Sequence, residues 1–274
     1  MGRPLALVTG ASSGIGLDLA GAFARAGHDV ALVANTPLSR QRELAAEIAA
    51  SLDRAVAAGP ARDGRAAPPA PRIVGYEADV ADAASVARLA AAVHADLGTV
   101  DVLVNNAGIW TTTVPGVTPL AEFDRLVDVN LRGPYYVCHH FLPPMLARGR
   151  GNLIFVGSVS GLAGDPHSAA YSATKAGVAM LARTFAATLG PQGIRVNAIA
   201  PGAVATPLTA GLRTPEGEAA IEAMMKSHPS PTRRFFMEPS EISALALFLA
   251  SEASSALHGA VLVADQGLSA TLPR

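Results

Sequence analysis

The sequence has little of several features that would point to a particular class of protein. Its 274 residues include one cysteine, Cys138, so no disulfide can form within the chain, and we expect a small buried apolar residue there. Charged residues make up 16% and the formal net charge is -1, so no field of one sign attracts nucleic acid or anionic lipid. No apolar run reaches the roughly 18–20 residues of a membrane helix, and the first one is too short for a signal peptide. We therefore expect a cytoplasmic protein with no nucleic-acid or membrane partner.

Short apolar, β-branched runs alternate with longer Ala- and Leu-rich segments along the chain. This alternation predicts an α/β fold, a doubly wound (Rossmann) and mostly parallel seven-stranded sheet with helices on both faces. The predicted strands are 5–9, 30–34, 72–76, 100–104, 152–156, 195–200 and 260–264. The predicted helices lie near 14–27, 38–52, 83–97, 118–147, 172–190 and 239–251. We expect one dinucleotide-binding and catalytic domain over residues 1–274.

Two segments interrupt this rhythm. Residues 54–71 are rich in Ala, Pro, Gly and Arg and have no face to bury, so we expect a surface insertion there. Residues 207–237, called the lid segment below, combine prolines with large apolar side chains. That combination is typical of a lid over a bound ligand, and the alternative is an ordinary helical hairpin on the surface.

A glycine-rich turn follows the first strand and opens the first helix. Gly10, Gly14 and Gly16 have the spacing G-x-x-x-G-x-G, which allows a tight turn and a close approach of backbone to phosphate. The free N–H groups and the positive dipole end of the helix then face the anion. The turn therefore predicts a site for the pyrophosphate of a dinucleotide.

This spacing, together with the motifs that follow it, resembles the short-chain dehydrogenase/reductase family over nearly the whole chain. The further motifs are Asp79-Val80, Asn105-Asn106-Ala107-Gly108, Ser158, Tyr171-Ser172-Ala173-Thr174-Lys175 and Pro201-Gly202 with Thr206. The resemblance implies an NAD(P)-dependent oxidoreductase acting on a small carbonyl or alcohol substrate. It also implies a set of cofactor-binding residues: Gly10, Ser12, Ser13, Gly14, Ile15, Gly16, Asn35, Thr36, Asp79, Val80, Asn106, Ala107, Gly108, Tyr171, Lys175, Pro201, Gly202, Val204 and Thr206.

Tyr171 and Lys175 are four residues apart, so on a helix their side chains share one face. A nearby ammonium favours the phenolate, and we expect it to lower the tyrosine pKa from its usual value of about 10. The resemblance implies that Ser158 lies beside the tyrosine, with Ser160 as a rival. It also implies that Asn130 holds a water that links Lys175 to bulk solvent. The alternative for Asn130 is a side chain that satisfies a local backbone group.

The end of the second strand bears on the choice of cofactor. The resemblance places Ala34 where a carboxylate would bind the ribose hydroxyls of NAD, so nothing there excludes a 2′-phosphate. Asn35 and Ser13 stand where NADP enzymes commonly carry basic residues, but Arg40 or Arg42 is able to reach back from the next helix. We therefore favour NADP(H) over NAD(H).

The residues around the substrate point to a partly apolar molecule. Trp110 is a candidate to stack on a ring or to fill a gap under the lid segment, and His167 is a candidate for the rim. The other candidates for the pocket are Leu208, Leu212 and Met224. The pattern resembles the 3-oxoacyl-thioester reductases and the sugar or polyol dehydrogenases of the family. No metal is expected, because His139 and His140 point about 100° apart on a helix.

The resemblance also implies a homotetramer, formed through the helices near 118–147 and 172–190 and the C-terminal strand. Gln266 departs from the pattern, because the family commonly has glycine there and glutamine adopts positive φ less readily. We therefore expect the turn at this position to differ. Two other functions stay open: a family member with a different net reaction, such as an epimerase or dehydratase, and a non-catalytic NADP-binding regulator.

Overall fold

The computed structural model describes residues 2–57, 69–225 and 230–270, and its centre is a sheet of seven parallel strands. The strands are β1 Leu5–Thr9, β2 Asp29–Ala34, β3 Ile73–Glu77, β4 Val102–Asn105, β5 Gly151–Val156, β6 Ile194–Pro201 and β7 Val261–Ala264. Their order is β3-β2-β1-β4-β5-β6-β7. The chain therefore turns to opposite sides after β1 and after β4, which opens a crevice at the carboxyl ends of these strands. The predicted doubly wound fold is confirmed.

Helices cover both faces of the sheet. They are α1 Gly14–Arg25, α2 Leu38–Ala57, α3 Ala83–Asp96, α4 Leu120–Val127, α5 Gly133–Ala147, α6 Ala169–Leu189, α7 Pro215–Met225 and α8 Pro239–Ala250. Helices α1, α2 and α8 pack on one face, while α3, α5 and α6 pack on the other. Alternate residues of β1 serve the two cores, with Leu7 on one side and Ala6 and Val8 on the other. The central strands are buried on both faces, which explains their continuous apolar runs.

Several boundaries differ from the prediction. Helix α2 continues to Ala57, so the first residues of the expected surface insertion at 54–71 are helical, and residues 58–68 lie outside the described part of the chain. The long helix expected near 118–147 is divided by a π-helical turn, Asp128–Arg132, between α4 and α5. Helix α6 begins at Ala169, ahead of the expected start near 172, so Tyr171 lies within its first turn.

The lid segment is closed at its base. Val204 pairs with Met237, the Ala205 N–H donates to the Met237 carbonyl at 2.9 Å, and the Met237 N–H donates to the Ala203 carbonyl at 2.9 Å. Between these ends lie a 3₁₀-helix at Pro207–Leu212 and then α7. The segment is thus a loop anchored beside the carboxyl end of β6. The side chain of Met224 is outside the described residues.

The C-terminal turn keeps the left-handed backbone that glycine would provide. Gln266 has φ of +53° and Gly267 has φ of +87°, so the expectation that this turn differs is wrong. Cys138 is fully buried in the core, as expected, and burial raises the pKa of its thiol to about 12. Within the described ranges, no helix combines the length and the apolar character needed to cross a bilayer.

Candidate active site

The glycines of the turn are required by its own packing. Gly10 and Gly14 have φ of +66° and +54°, where side chains are strained. A Cβ on Gly16 would lie 2.2 Å from the Gly10 carbonyl oxygen, and a Cβ on Gly10 would lie 2.8 Å from the Ala107 Cα. The turn after β1 is therefore pressed against the loop after β4.

Asn106 braces this turn. Its Nδ2 donates to the Thr9 carbonyl at 2.9 Å, and the Thr9 hydroxyl accepts from the N–H groups of Asn106 and Ala107, both at 3.0 Å. The side chain that we expected to contact the cofactor is therefore occupied in holding the loop. Thr9, which sequence reasoning did not select, joins the two loops, and its position before Gly10 was the available signal.

The N-terminus of α1 opens into a cleft of about 510 Å³. Ser13 precedes the helix without a side-chain capping bond, and no acidic residue stands in the first turn, so the free N–H groups suit an anion. The predicted cofactor residues that line the cleft are Gly10, Ser12, Ser13, Asn35, Asp79, Val80, Ala107 and Gly108. These residues fit the phosphates and the adenosine of a dinucleotide.

Thr206 approaches the glycine turn from the loop after β6. It precedes the 3₁₀-helix of the lid segment, and a Cβ on Gly14 would lie 3.0 Å from the Thr206 Cβ. Gly202 lies against Asp265, where a Cβ would approach to 2.9 Å, and Val204 pairs with Met237. The predicted contacts after β6 are therefore brought to the glycine turn by Thr206, while Gly202 and Val204 fix the base of the lid segment.

The remaining predicted cofactor residues have partners within the protein. Thr36 accepts a hydrogen bond from the Gln41 amide. Ile15 packs against the core beneath α1, and Pro201 is buried at the end of β6.

Ser158 and Tyr171 come together as the resemblance implies. The Ser158 side chain lies close enough to the Tyr171 phenol to lower its pKa, and the Ser158 Oγ accepts from the Ser160 N–H at 3.1 Å. This bond to Ser160 holds Ser158 at the start of a short 3₁₀-helix after β5. Ser160, the alternative candidate, thus contributes its backbone N–H, which orients the Ser158 side chain.

Lys175 is buried one helical turn beyond Tyr171. Its Nζ donates to the Val156 carbonyl at 2.9 Å and lies 5.7 Å from the centre of the Tyr171 ring. Burial lowers the pKa of Lys175 from 10.5 to about 8. A Cβ on Gly108 would lie 3.3 Å from the Nζ, so Gly108 brings the edge of the cleft to the ammonium.

The pKa of Tyr171 is raised, not lowered. Burial raises it by disfavouring the phenolate, and the hydrogen bond from Ser158 lowers it by a smaller amount. The expectation that Lys175 lowers the pKa of Tyr171 below its usual value is therefore wrong in this arrangement. The Lys175 Nζ donates instead to the Val156 carbonyl. The neutral phenol consequently persists to higher pH than in water.

Asn130 lies fully buried in the π-helical turn. Its Oδ1 accepts from the Ile109 N–H at 2.8 Å, and its Nδ2 donates to the Ile109 carbonyl at 2.9 Å and to the Thr174 hydroxyl at 3.3 Å. The backbone partner belongs to the loop after β4 and not to the local helix of the alternative, and the water link to Lys175 stays a prediction. The side chain fixes the loop beyond Gly108 relative to α6.

Trp110 is held at the start of α6. Its indole N–H donates to the Ser168 hydroxyl at 2.9 Å, and the Thr113 N–H donates to the His167 carbonyl at 2.9 Å. Ser168 is fully buried, whereas Trp110 keeps 37% of its surface exposed, so the indole is fixed without being packed away. The indole therefore sits at Ser168, three residues before Tyr171 along the chain, and the neighbouring His167 is exposed.

Comparison with known proteins supports the same family. The family model described as enoyl-(acyl carrier protein) reductase matches residues 10–269. A cis-4-hydroxycyclohexanecarboxylate dehydrogenase of Sinomonas cyclohexanicum is 37% identical, covering 97% of this chain and 96% of its own. A D-threitol dehydrogenase of Mycolicibacterium smegmatis is 36% identical, with 96% and 92% covered. A Beutenbergia cavernae structure with bound NADP superposes with a TM-score of 0.83 at 34% identity, with 98% and 97% covered. With its fold, its glycine turn and its Ser158, Tyr171 and Lys175, the chain belongs to the short-chain dehydrogenase/reductase family, whose members are NAD(P)-binding oxidoreductases.

Proposed function

We propose that this enzyme interconverts a carbonyl compound and a secondary alcohol, with Tyr171 as the residue that transfers the proton. One observation carries the proposal: the neighbouring side chains of Ser158 and Tyr171 stand beside Lys175, whose Nζ adjoins the cleft at Gly108. A proton donor and a hydroxyl donor thus share one place at the edge of a dinucleotide site. That arrangement suits chemistry on a substrate oxygen.

Each side chain then has a separate role. Ser158 donates a hydrogen bond to the substrate oxygen and stabilises the charge that develops there. Tyr171 gives its proton to that oxygen in reduction and takes it back in oxidation. A bound nicotinamide supplies or accepts the hydride. Lys175 offers ammonium donors to the ribose hydroxyls and a positive charge near the phenol. Because the pKa of Tyr171 is raised, the proton for reduction is present at neutral pH, and oxidation requires more alkaline conditions.

We further propose that the substrate carries an alicyclic ring. The loops after β4, β5 and β6 follow neighbouring strands and so meet at one edge of the sheet. Each loop presents an exposed apolar side chain there: Trp110, Leu162, Leu208 and Leu212. The Sinomonas relative acts on a hydroxycyclohexane carboxylate, whereas the Mycolicibacterium relative acts on an open-chain polyol. A flat indole beside leucines favours the ring over the polyol.

A substrate panel tests both parts of the proposal. Cyclohexanone and cyclohexanol carboxylates, threitol and a 3-oxoacyl thioester would be followed at about 340 nm with each cofactor. We expect Trp110→Ala to raise KM for the cyclic substrates about 10-fold, because the ring loses its apolar wall, and to change KM for open-chain substrates little.

His167→Ala is the matched control, since it changes an exposed residue beside the same loop. An equal effect of Trp110→Ala on cyclic and open-chain substrates would contradict the ring preference. Wild-type enzyme that reduced no carbonyl with either cofactor would contradict the proposed activity itself.

The proposed cofactor is NADP(H), on the ground that Ala34 leaves the end of β2 without a carboxylate. The arginines considered for the 2′-phosphate are placed elsewhere: Arg40 pairs with Glu43 and Glu47, and Arg42 lines a separate cleft. Glu77 also stands across the ladder from Ala34, and its carboxylate accepts from the Leu38 N–H at 2.9 Å. We infer that Glu77 limits the preference for NADP(H) from the neighbouring strand.

Glu77→Gln is therefore expected to lower KM for NADPH about 5-fold and to leave KM for NADH unchanged, because a like charge beside the 2′-phosphate is removed. Initial rates with each cofactor measure the effect. Asp53→Asn removes the same charge at the other end of α2 and serves as the control. Equal changes for both cofactors in Glu77→Gln would refute the assignment.

We also propose a homotetramer. Large apolar side chains are exposed on each element that the resemblance places at an interface: Phe123 on α4, Tyr135 on α5, Met180 on α6 and Val263 on β7. Exposed apolar patches of this kind are typical of protein interfaces. The cytoplasmic location stays a prediction.

A further inference from the structure

Two residues with side chains adopt the left-handed backbone in the described part of the chain. They are Arg233, with φ of +55°, and Gln266, with φ of +53°. This region is unfavourable for residues that carry a Cβ, and it persists only where surrounding contacts hold it. Arg233 belongs to the lid segment and Gln266 to the turn after β7, so they are distant in sequence. Both nevertheless border the same group of hydrogen bonds.

That group consists of Ser230, Thr232 and Gln266, called the clamp below. The Gln266 Oε1 accepts from the Ser230 hydroxyl at 2.5 Å and from the Thr232 hydroxyl at 2.6 Å. Ser230 is buried and Thr232 is exposed, so the clamp extends from the protein interior to the surface. The Gln266 Oε1 therefore joins residues 230–232 of the lid segment to the C-terminal turn.

The C-terminal turn is itself firmly anchored. The Asp265 carboxylate accepts from the Gly267 N–H at 2.9 Å and from the Ser269 N–H at 2.7 Å. Gly202 packs against Asp265, and its N–H donates to the Ala264 carbonyl at 2.8 Å. The clamp thus ties residues 230–232 to the ends of β6 and β7.

Further contacts connect the two halves of the lid segment and reach the glycine turn. The guanidinium of Arg213 lies 5.9 Å from the centre of the Phe236 ring, and its Nη2 donates to the Thr206 carbonyl at 2.8 Å. Thr206 in turn lies against Gly14 of the glycine turn. Both halves of the lid segment are therefore connected, and one of them contacts the dinucleotide site.

We propose that Gln266 is a positioning residue, whose amide oxygen holds the lid segment over the substrate through Ser230 and Thr232. The inference rests on the proposed function of the site. Glycine at this position would relax the backbone but would remove the oxygen that accepts both hydrogen bonds. The two hydrogen bonds of the Gln266 side chain thus explain why a residue other than glycine occupies this strained, left-handed backbone position. None of the clamp residues is among the proposed proton-transfer residues. Loss of the clamp should therefore weaken substrate binding and change kcat little.

Gln266→Gly is expected to raise KM for the carbonyl substrate about 10-fold with kcat within about 2-fold of wild type, because two hydrogen bonds to the lid segment are lost. Limited trypsin digestion of the enzyme without substrate should cut after Arg233 or Arg234 about 5-fold faster, since local opening exposes the segment. The double variant Ser230→Ala/Thr232→Val should reproduce both effects.

Two variants separate the side chain from the backbone. Gln266→Glu keeps a side-chain oxygen that can accept from Ser230 and Thr232, so KM and the rate of cleavage should stay at their wild-type values. Arg233→Gly relieves the same backbone strain without removing a clamp bond, and it should leave KM and cleavage after Arg234 unchanged.

Unchanged cleavage in Gln266→Gly would overturn the clamp, and faster cleavage with unchanged KM would overturn its role in positioning. A wild-type enzyme without carbonyl reductase activity would overturn the proposed function, and with it the positioning role; the trypsin comparison would still decide whether the clamp holds the segment.

Discussion

Replacing Tyr171 with phenylalanine is expected to lower kcat for carbonyl reduction by about 10³-fold, a typical contribution of a positioned acid or base. Phenylalanine keeps the ring that lies 5.7 Å from the Lys175 Nζ and removes only the hydroxyl that lies near Ser158. The substrate oxygen then has no positioned phenol to give it a proton. Because the glycine turn and the α1 N-terminus are untouched, the Kd for NADPH should stay within about 2-fold of wild type.

The binding measurement can use the single tryptophan. Trp110 lies in the loop that begins at the cleft with Gly108, so NADPH should quench its fluorescence. Tyr135→Phe removes the same hydroxyl from an exposed position on α5 and should leave kcat unchanged. A Tyr171→Phe enzyme that kept wild-type turnover would show that another group transfers the proton.

Lys175→Met is expected to make the protein more stable at neutral pH while lowering kcat by about 10²-fold or more. Burial lowers the pKa of Lys175 from 10.5 to about 8, which corresponds to ~3 kcal/mol of unfavourable charge burial at neutral pH. The variant also leaves the Val156 carbonyl without its donor, at a cost of about 1–2 kcal/mol. The net gain is about 1–2 kcal/mol, or a rise in Tm of a few degrees.

The pH dependence identifies the cause of this gain. Between about pH 8 and 10.5 the unfolded chain binds a proton at Lys175 that the folded chain has released, so wild-type stability rises with pH across this window. Below pH 8 the full penalty is present. The advantage of Lys175→Met should therefore be largest below pH 8 and shrink as the pH rises towards 10.5. It should reverse once the remaining charge penalty is smaller than the cost of the unpaired Val156 carbonyl.

Lys175→Arg is the control for charge, because arginine keeps a cation in the same buried place and should show no gain in stability. Thermal unfolding of the three proteins at about pH 7 and pH 10 gives the comparison. If Lys175→Met were less stable than wild type at neutral pH, the ammonium would be better solvated in the folded protein than its burial implies.

The doubly wound fold was predictable because most of the strands are mainly apolar and alternate with helices along the chain. The π-helical turn at Asp128–Arg132 was not predictable, since its residues have an ordinary helical pattern. The C-terminal end of α2 was also missed, because an Ala-rich sequence is compatible with a helix or with a surface loop, and tertiary packing determines which one forms.

The site divides in the same way. The proximity of Ser158 to Tyr171 was implied by the family resemblance, and the structure places Ser158 directly after β5 and Tyr171 in the first turn of α6. The brace formed by Asn106 and Thr9 depends on backbone partners that only the folded loops provide. Glu77 emerged only from the register of β3 against β2, which sequence does not specify. The direction of the Tyr171 pKa depends on burial, which spacing cannot report.

The π-helical turn has a consequence for how this part of the chain can vary. A π turn contains one residue more than an α-helical turn would place there, and that extra residue aims the Asn130 amide at Ile109. Deleting a single residue from this stretch would regularise the helix and swing Asn130 by about 100°, away from the loop that it fastens. Homologous chains should therefore tolerate exchanges of side chain on the outer surface here, yet resist any insertion or deletion.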